Sequence, residues 1–175
     1  MGVRVHLIMK RILILGSSGS GKSTFAGALG EKLGIDVIHL DSHYWKPNWT
    51  NTPDNEWRLT LKRLLKRECW IMDGNYINSL DLRLSHADTV FFLDFNRFVC
   101  LFRCLQRYHL FRGRNRPELA HGCNEKIDWD FFLWIWKYPQ EIKPKIISIL
   151  QEHPAINAIH LKGVRQVKDY LNHRD

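Results

Sequence analysis

One segment, Gly16-Ser17-Ser18-Gly19-Ser20-Gly21-Lys22-Ser23, constrains this chain more than any other. It satisfies every fixed position of Gly-x-x-x-x-Gly-Lys-Ser/Thr. Its context is also the required one. Arg11-Ile12-Leu13-Ile14-Leu15 is a short apolar run ending at Gly16 and reads as a buried parallel strand. After Lys22, residues Phe25, Leu29 and Leu33 form one helical stripe, closed by Gly34. A strand, a glycine-rich turn and a helix in that order aim backbone amides and a helix N-terminus at an anion. Glycines let a phosphate approach the chain. Lys22 supplies charge to the outer phosphates, and Ser23 offers a hydroxyl to Mg²⁺, whose other ligands are waters and phosphate oxygens. Gly16, Ser17, Ser18, Gly19, Ser20, Gly21, Lys22 and Ser23 are therefore the expected binding residues for ATP, with Lys22 also catalytic. A dinucleotide site is the competing reading. Gly16-x-x-Gly19-x-Gly21 fits Gly-x-Gly-x-x-Gly only loosely, and the Lys-Ser pair has no role there.

The remaining pattern alternates strands with helices. Val37-Ile38-His39-Leu40 is a second strand, ending at Asp41. An aromatic loop comes next, from Ser42 to Thr52, and Pro53 opens a helix with Thr52 as its cap. Trp57, Leu61, Leu64 and Leu65 form its buried face. Cys69-Trp70-Ile71-Met72, ending at Asp73-Gly74, is a third strand, and Thr89 to Leu93 a fourth, ending at Asp94, itself a candidate cap. A helix from Asn96 to about Leu110 shows Phe98, Leu101, Phe102 and Leu105 on one side. A second, aromatic helix spans Glu125 to Tyr138, with breaks at Pro139 and Pro144. Ile156 to Leu161 is a fifth strand, and Val164 to Leu171 a closing helix. This predicts an α/β fold: a P-loop NTPase in three layers, α/β/α, around a five-stranded parallel sheet. The 175 residues suit a single P-loop kinase-like domain spanning 1–175, with 1–8 an N-terminal extension and 112–122 a lid loop.

The residues just past each strand separate the enzyme classes. No Asn-Lys-x-Asp is present to read guanine. A hydrolase commonly sets Glu after a strand-end Asp; here Asp41 precedes Ser42, Asp73 precedes Gly74 and Asp94 precedes Phe95. That leaves transfer to a bound acceptor, which needs cations over the phosphates. Arg97, Arg103, Arg107, Arg112, Arg114 and Arg116 supply them, in a window free of Lys, Asp and Glu. Arg112-Gly113-Arg114-Asn115-Arg116 reads as an Arg-rich lid, with Arg107, Arg114 and Arg116 as catalytic cations and Arg112 as a nucleotide contact. The alternative is a solvated basic face or a nucleic-acid patch. Asp41 and Asp73 end strands that border the ligand crevice of such sheets. Asp73 is assigned to a metal-bound water and Asp41 to the acceptor hydroxyl, the reverse assignment remaining open. His43, Tyr44, Trp45 and Trp49 either stack on a flat ligand or cover the sheet.

Several segments together resemble a known family: His39-Leu40-Asp41, Trp70-Ile71-Met72-Asp73-Gly74-Asn75-Tyr76, Arg114-Asn115-Arg116-Pro117 and Gly122-Cys123-Asn124-Glu125. They are similar to the small bacterial P-loop proteins called DNA topology modulation proteins (FlaR-like), relatives of adenylate kinase. The resemblance implies an adenylate-kinase-like strand order, 2-3-1-4-5, an ATP site from Gly16 to Thr24, and a lid at Arg112 to Arg116. It also implies that Lys162-Gly163-Val164 borders the adenine. Adenylate kinases carry Asp-Gly-Phe-Pro-Arg where this chain has Asp73-Gly74-Asn75-Tyr76. The acceptor-gripping Arg is absent there, with Arg83 as the candidate substitute, and this argues against AMP.

Lys and Arg number 26 against 18 Asp and Glu, a net charge of +8, which favours anionic partners. ATP with Mg²⁺ and a small-molecule acceptor, a nucleotide among the candidates, fit that balance. So does DNA, the rival reading, although no helix-turn-helix, zinc module or long basic helix is visible. A nucleotide-binding regulator without turnover is a third reading. Cys69, Cys100, Cys104 and Cys123 form no Cys-x-x-Cys and read as packed, reduced thiols. With no secretory signal and no run near the ~18 apolar residues of a membrane span, a cytoplasmic protein, monomer or homodimer, is expected. Trp129 to Tyr138 is either core or a subunit contact.

Overall fold

The structure, a computed structural model, describes residues 9–112, 118–124 and 128–172. The expectations placed on residues 1–8, Arg114 and Arg116 lie outside these. Apolar runs build the sheet: β1 (Arg11–Gly16), β2 (Val37–His39), β3 (Trp70–Asp73), β4 (Thr89–Leu93) and β5 (Asn157–Leu161). They are all parallel, in the order β2-β3-β1-β4-β5, as the resemblance implied. The helices are α1 (Lys22–Leu33), α2 (Leu40–Tyr44), α3 (Asp54–Leu64), α4 (Leu80–Leu84), α5 (Arg97–Phe111), α6 (Trp129–Glu141), α7 (Lys143–Gln151) and α8 (Val164–Asn172).

Successive residues of β1 point to opposite faces. Leu13 and Leu15 join Trp57 and Leu61 of α3, Leu80 and Leu84 of α4, Tyr138 of α6 and Ile146 of α7. Ile12 and Ile14 join Phe25 and Leu29 of α1, with Val167 and Tyr170 of α8. Both faces are covered, which is why the strand is apolar throughout rather than alternating. Each of these four β1 residues is fully buried, a gain of about 1.5–3 kcal/mol apiece. The expected α3 face, Trp57, Leu61, Leu64 and Leu65, is buried. Gly34 closes α1 in the left-handed region, its amide returning to the Gly30 carbonyl.

Several local expectations need correction. The second strand stops at His39, and Leu40 to Tyr44 turn into helix. Trp45–Lys46 and Thr50–Asn51 then pair as an antiparallel hairpin across the turn Pro47–Trp49. Thr52 does not cap α3, because its hydroxyl donates to the Tyr44 carbonyl and pins that hairpin. Asp94 caps nothing: its carboxylate accepts from Lys143 Nζ at 2.6 Å and lies 3.0 Å from His160 Nε2, while Asn96 caps α5 by accepting from the Phe98 amide at 2.9 Å. α6 starts at Trp129, capped by Asp128, and runs through Pro139 to Glu141, so the break falls at Ile142 instead.

α5 turns a different face inward from the one expected. Its buried face is Cys100 and Cys104, packed on Ile135 of α6, while Phe98 and Phe102 are 62% and 60% exposed. The reason is close approach. Gly19 of the phosphate loop lies against the Cys100 carbonyl so tightly that a Cβ on Gly19 would overlap it. Small thiols suit a helix face held that near a loop; phenylalanines do not. Burial pushes the Cys100 thiol up to about 11, which suits packing rather than reactivity. Among the described residues, no helix is long and apolar enough to cross a membrane.

Candidate active site

Register brings the site together. Asp73 of β3 pairs with both Ile14 of β1 and His39 of β2, and Gly16 pairs with Leu93 of β4. The carboxyl ends of four strands therefore meet where the chain turns into α1. Gly16 has φ +149° and Gly19 φ +77°. A Cβ on Gly16 would lie 2.6 Å from the Leu93 carbonyl oxygen. Both positions admit only glycine, for conformation and for space.

Lys22 folds back over the loop. Its Nζ donates to the Gly16 and Ser17 carbonyls at 2.9 and 3.0 Å. Burial lowers its pKa, opposed by the charges of Asp73 and Asp41. An anion above the loop would compensate that desolvation. Ser23 Oγ donates to Asp73 Oδ2 at 2.7 Å, and Asp73 is 5% exposed. Ser23 and Asp73, both assigned to metal from the sequence, are thus brought side by side. Hard oxygens from a hydroxyl and a carboxylate are the donors Mg²⁺ takes beside phosphates and water. Among the described residues, no cluster of three or more His, Cys, Asp and Glu offers a metal cage, and a phosphate-bound Mg²⁺ needs none.

A cleft of about 840 Å³ opens over these groups. Ser18, Gly19, Gly21, Lys22, Ser23 and Thr24 line it from the loop, Asp73 from β3, and Asp41 from α2. Gly16, Ser17 and Ser20 lie beneath this lining and are buried. Asp41 accepts from the Tyr76 hydroxyl at 2.6 Å. Burial first, then the Asp41 charge, raises the phenol above its ordinary range, so Tyr76 stays a donor. Arg107 lines the cleft, and its charge is felt at Lys22. Arg112 is exposed and does not line it. Lys162 and Gly163 succeed the carboxyl end of β5, and Val164 starts α8.

Other cationic expectations are redirected. Arg97 serves α6: its guanidinium lies 4.6 Å from the Trp136 ring centroid and donates to the Trp136 carbonyl at 3.1 Å. Arg103 lines the cleft, but it reaches back to the Gly19 and Ser20 carbonyls at 3.5 and 3.3 Å and lies over the Phe95 ring. Arg83 does not replace the missing acceptor Arg. It is fully buried and donates to the carbonyls of Gly74 at 2.9 Å, Tyr76 at 3.0 Å and Asn75. It holds the loop after β3 in shape. His43 is exposed and outside the lining, and Tyr44 packs on Trp57 and Tyr76. Trp45 and Trp49 do line the cleft.

Three residues of the site escape sequence reasoning. Asn75 accepts from the Gly16 amide at 3.1 Å and donates to the Gly16 carbonyl at 2.8 Å, clamping the start of the phosphate loop. His39 Nδ1 lies 2.8 Å from Asp73 Oδ1, and that hydrogen bond raises its pKa. Glu118 lines the cleft from the segment before Gly122. The only signal for the first two is their place at strand ends, since the partner of each is a non-local backbone or carboxylate group.

No protein-family model matches the chain. Its fold is similar to that of shikimate kinase from Acinetobacter baumannii in complex with shikimate, with a TM-score of 0.59 and 17% identity over 93% of this chain and 89% of that one. Shikimate kinase from Bacteroides thetaiotaomicron gives 0.57 and 17% over 93% and 94%, and a gluconokinase from Sinorhizobium meliloti 1021 gives 0.53 and 16% over 94% and 92%. The P-loop fold is shared with these kinases. In sequence, the chain is 31% identical to "Uncharacterized protein YqaC" of Bacillus subtilis (strain 168) over 146 residues, 82% of this chain and 81% of that protein. The chain belongs to the family of YqaC.

Proposed function

We propose that this protein is an ATP- and Mg²⁺-dependent kinase that transfers the γ-phosphoryl group to a hydroxyl of a small-molecule acceptor. The observation that carries this is the sharing of one cleft by the Lys22-Ser23 phosphate loop, the Ser23–Asp73 pair and, across from them, Asp41 held by Tyr76. Among proteins of this fold are shikimate kinase and a gluconokinase, which supports transfer rather than hydrolysis.

The loop amides and α1 N-terminus take the phosphates. Lys22 exchanges its carbonyl partners for phosphate oxygens and regains the solvation that burial denies it. Mg²⁺, when bound, neutralises phosphate charge; Ser23 would ligate it, and Asp73 would hold one of its waters. Asp41 accepts the proton of the acceptor hydroxyl as that oxygen bonds to the γ-phosphorus and the bond to the β-phosphate's bridging oxygen breaks. Arg107 offsets charge on the transferring group. Arg114 and Arg116, outside the described residues, take the same role on sequence grounds, and on the same grounds Arg112 is assigned to the nucleotide.

The test is ADP release with ATP, Mg²⁺ and a panel of hydroxylated acceptors, alongside the ATP-induced melting shift. Lys22→Met should lower kcat/KM by on the order of 10²–10³ and abolish the melting shift. Undiminished turnover in Lys22→Met refutes the assignment.

A further inference from the structure

The apolar stripe that sequence spacing assigns to the interior of α5 faces solvent. Phe98, Phe102 and Leu105 lie on the side of the helix away from Cys100 and Cys104, the pair packed on Ile135 of α6. α6 has the same character. Its buried positions are Ile135 and Tyr138, and Trp129, Leu133 and Trp136 lie on the opposite side. Both outer stripes are spaced i, i+4, i+7, so each forms one line along its helix. The two lines belong to one surface, because α5 and α6 pack together and the Phe98 and Trp136 rings meet edge to face at 5.5 Å.

The six side chains are 42–82% exposed. A large aromatic side chain carries about 150–250 Å², so together they present roughly 700 Å² of apolar surface. The largest such patch on a monomer is about 300–600 Å², and each partner in a standard interface buries about 800 Å². Charge points the same way. No Lys, Arg, Asp or Glu of α5 is exposed: Arg97, Arg103 and Arg107 are all partly buried. Aromatic residues with charges excluded mark the centre of a protein–protein interface. A bilayer would want cations beside the rings, but the exposed charges of α6 are Asp130, Lys137 and Glu141, the last two paired at 3.7 Å.

The chain itself offers little to cover this face. Residues 113–117 and 125–127, in the connection between α5 and α6, hold Ile127 as their one large aliphatic residue. Residues 1–8 precede β1, which starts at the amino end of the parallel sheet, whereas α5 starts beyond the carboxyl end of β4. We propose that the face is the contact between two copies of this chain, paired about a two-fold axis so that α5 and α6 of each form a four-helix bundle. A two-fold contact is isologous, so one apolar surface serves both partners. Apolar lines at three- and four-residue spacing are what such bundles interlock. The phosphate loop meets the other side of α5, at Cys100 and Arg103. None of the six residues lines the cleft, so pairing does not occupy it.

Light scattering after size exclusion tests this on the full chain. At about 50 µM it should report twice the 20.8 kDa chain mass. Phe102→Glu, and separately Leu133→Glu, places a carboxylate in the contact from each copy and should weaken the dimer by about 100-fold or more. Leu59→Glu, at an exposed leucine of α3, should leave it dimeric. Phe102 and Leu133 are exposed, so both variants should keep a cooperative melt; if one does not, the other decides. A monomeric wild type overturns the proposal, whether the face is then covered by residues 1–8 or binds lipid vesicles. So does a dimer that survives in folded Phe102→Glu or Leu133→Glu, or one that Leu59→Glu dissociates.

Discussion

Replacing Asn75 by alanine removes two hydrogen bonds at once, both to Gly16. The Gly16 amide loses its acceptor, while the Gly16 carbonyl keeps only the Lys22 ammonium as a side-chain donor among the described residues. A net hydrogen bond is worth about 0.5–1.5 kcal/mol, and these two are partly buried, so the loss is about 1–2 kcal/mol. For a chain of this size that lowers Tm by roughly 2–8 °C. The same change also loosens the carbonyl that Lys22 uses, so ATP affinity should fall along with stability. Differential scanning calorimetry with and without ATP and Mg²⁺ reads both: Asn75→Ala should show a lower apo Tm and a smaller ATP-induced shift. An apo Tm unchanged from wild type, with the full ATP shift retained, would refute the argument that this side chain clamps the loop.

The same geometry fixes other outcomes. Arg83→Met takes the Arg83 donor from the Gly74 and Asn75 carbonyls, while the Tyr76 carbonyl keeps the Ser79 hydroxyl and amide, and each buried acceptor left unpaired costs about 1–3 kcal/mol. Urea unfolding should show that loss, whereas a phosphate-gripping Arg would raise an acceptor's KM and spare stability. His39 is held above its ordinary pKa chiefly by its hydrogen bond to Asp73, against partial burial. Its stabilising contribution is therefore complete below about pH 6.5 and disappears as pH rises through the raised folded value. The Tm gap between wild type and His39→Ala, measured without nucleotide or metal, should be wider at pH 5.5 than at pH 8.5; a gap that grows with pH contradicts the pairing.

The phosphate loop, the strands flanking it and the buried face of α3 were legible because each is a local pattern. Gly16 to Ser23 needs nothing beyond its own backbone to present amides, and Trp57, Leu61, Leu64 and Leu65 share a face by helical spacing alone. Asp41 and Asp73 were legible as strand-end carboxylates, although the first turned out to start a short helix. The α5 face differs from its expectation for a physical reason. Apolar residues occur around most of that helix, so periodicity offers two faces, and the choice was made by Gly19 pressing on Cys100 and by α6 arriving at Cys104.

The chain's order of residues determined on its own the class of chemistry: a strand, a glycine turn, Lys22 and Ser23 suffice for phosphate recognition, since backbone amides and one side-chain charge make the site. Only the tertiary structure decided which groups surround it. Asn75 meets Gly16 across 59 positions, His39 meets Asp73 across 34, and Trp49 is oriented by Asn124 across 75. Those contacts depend on sheet register and on loop docking, where a hydrogen bond's direction matters and sequence spacing carries no information about it.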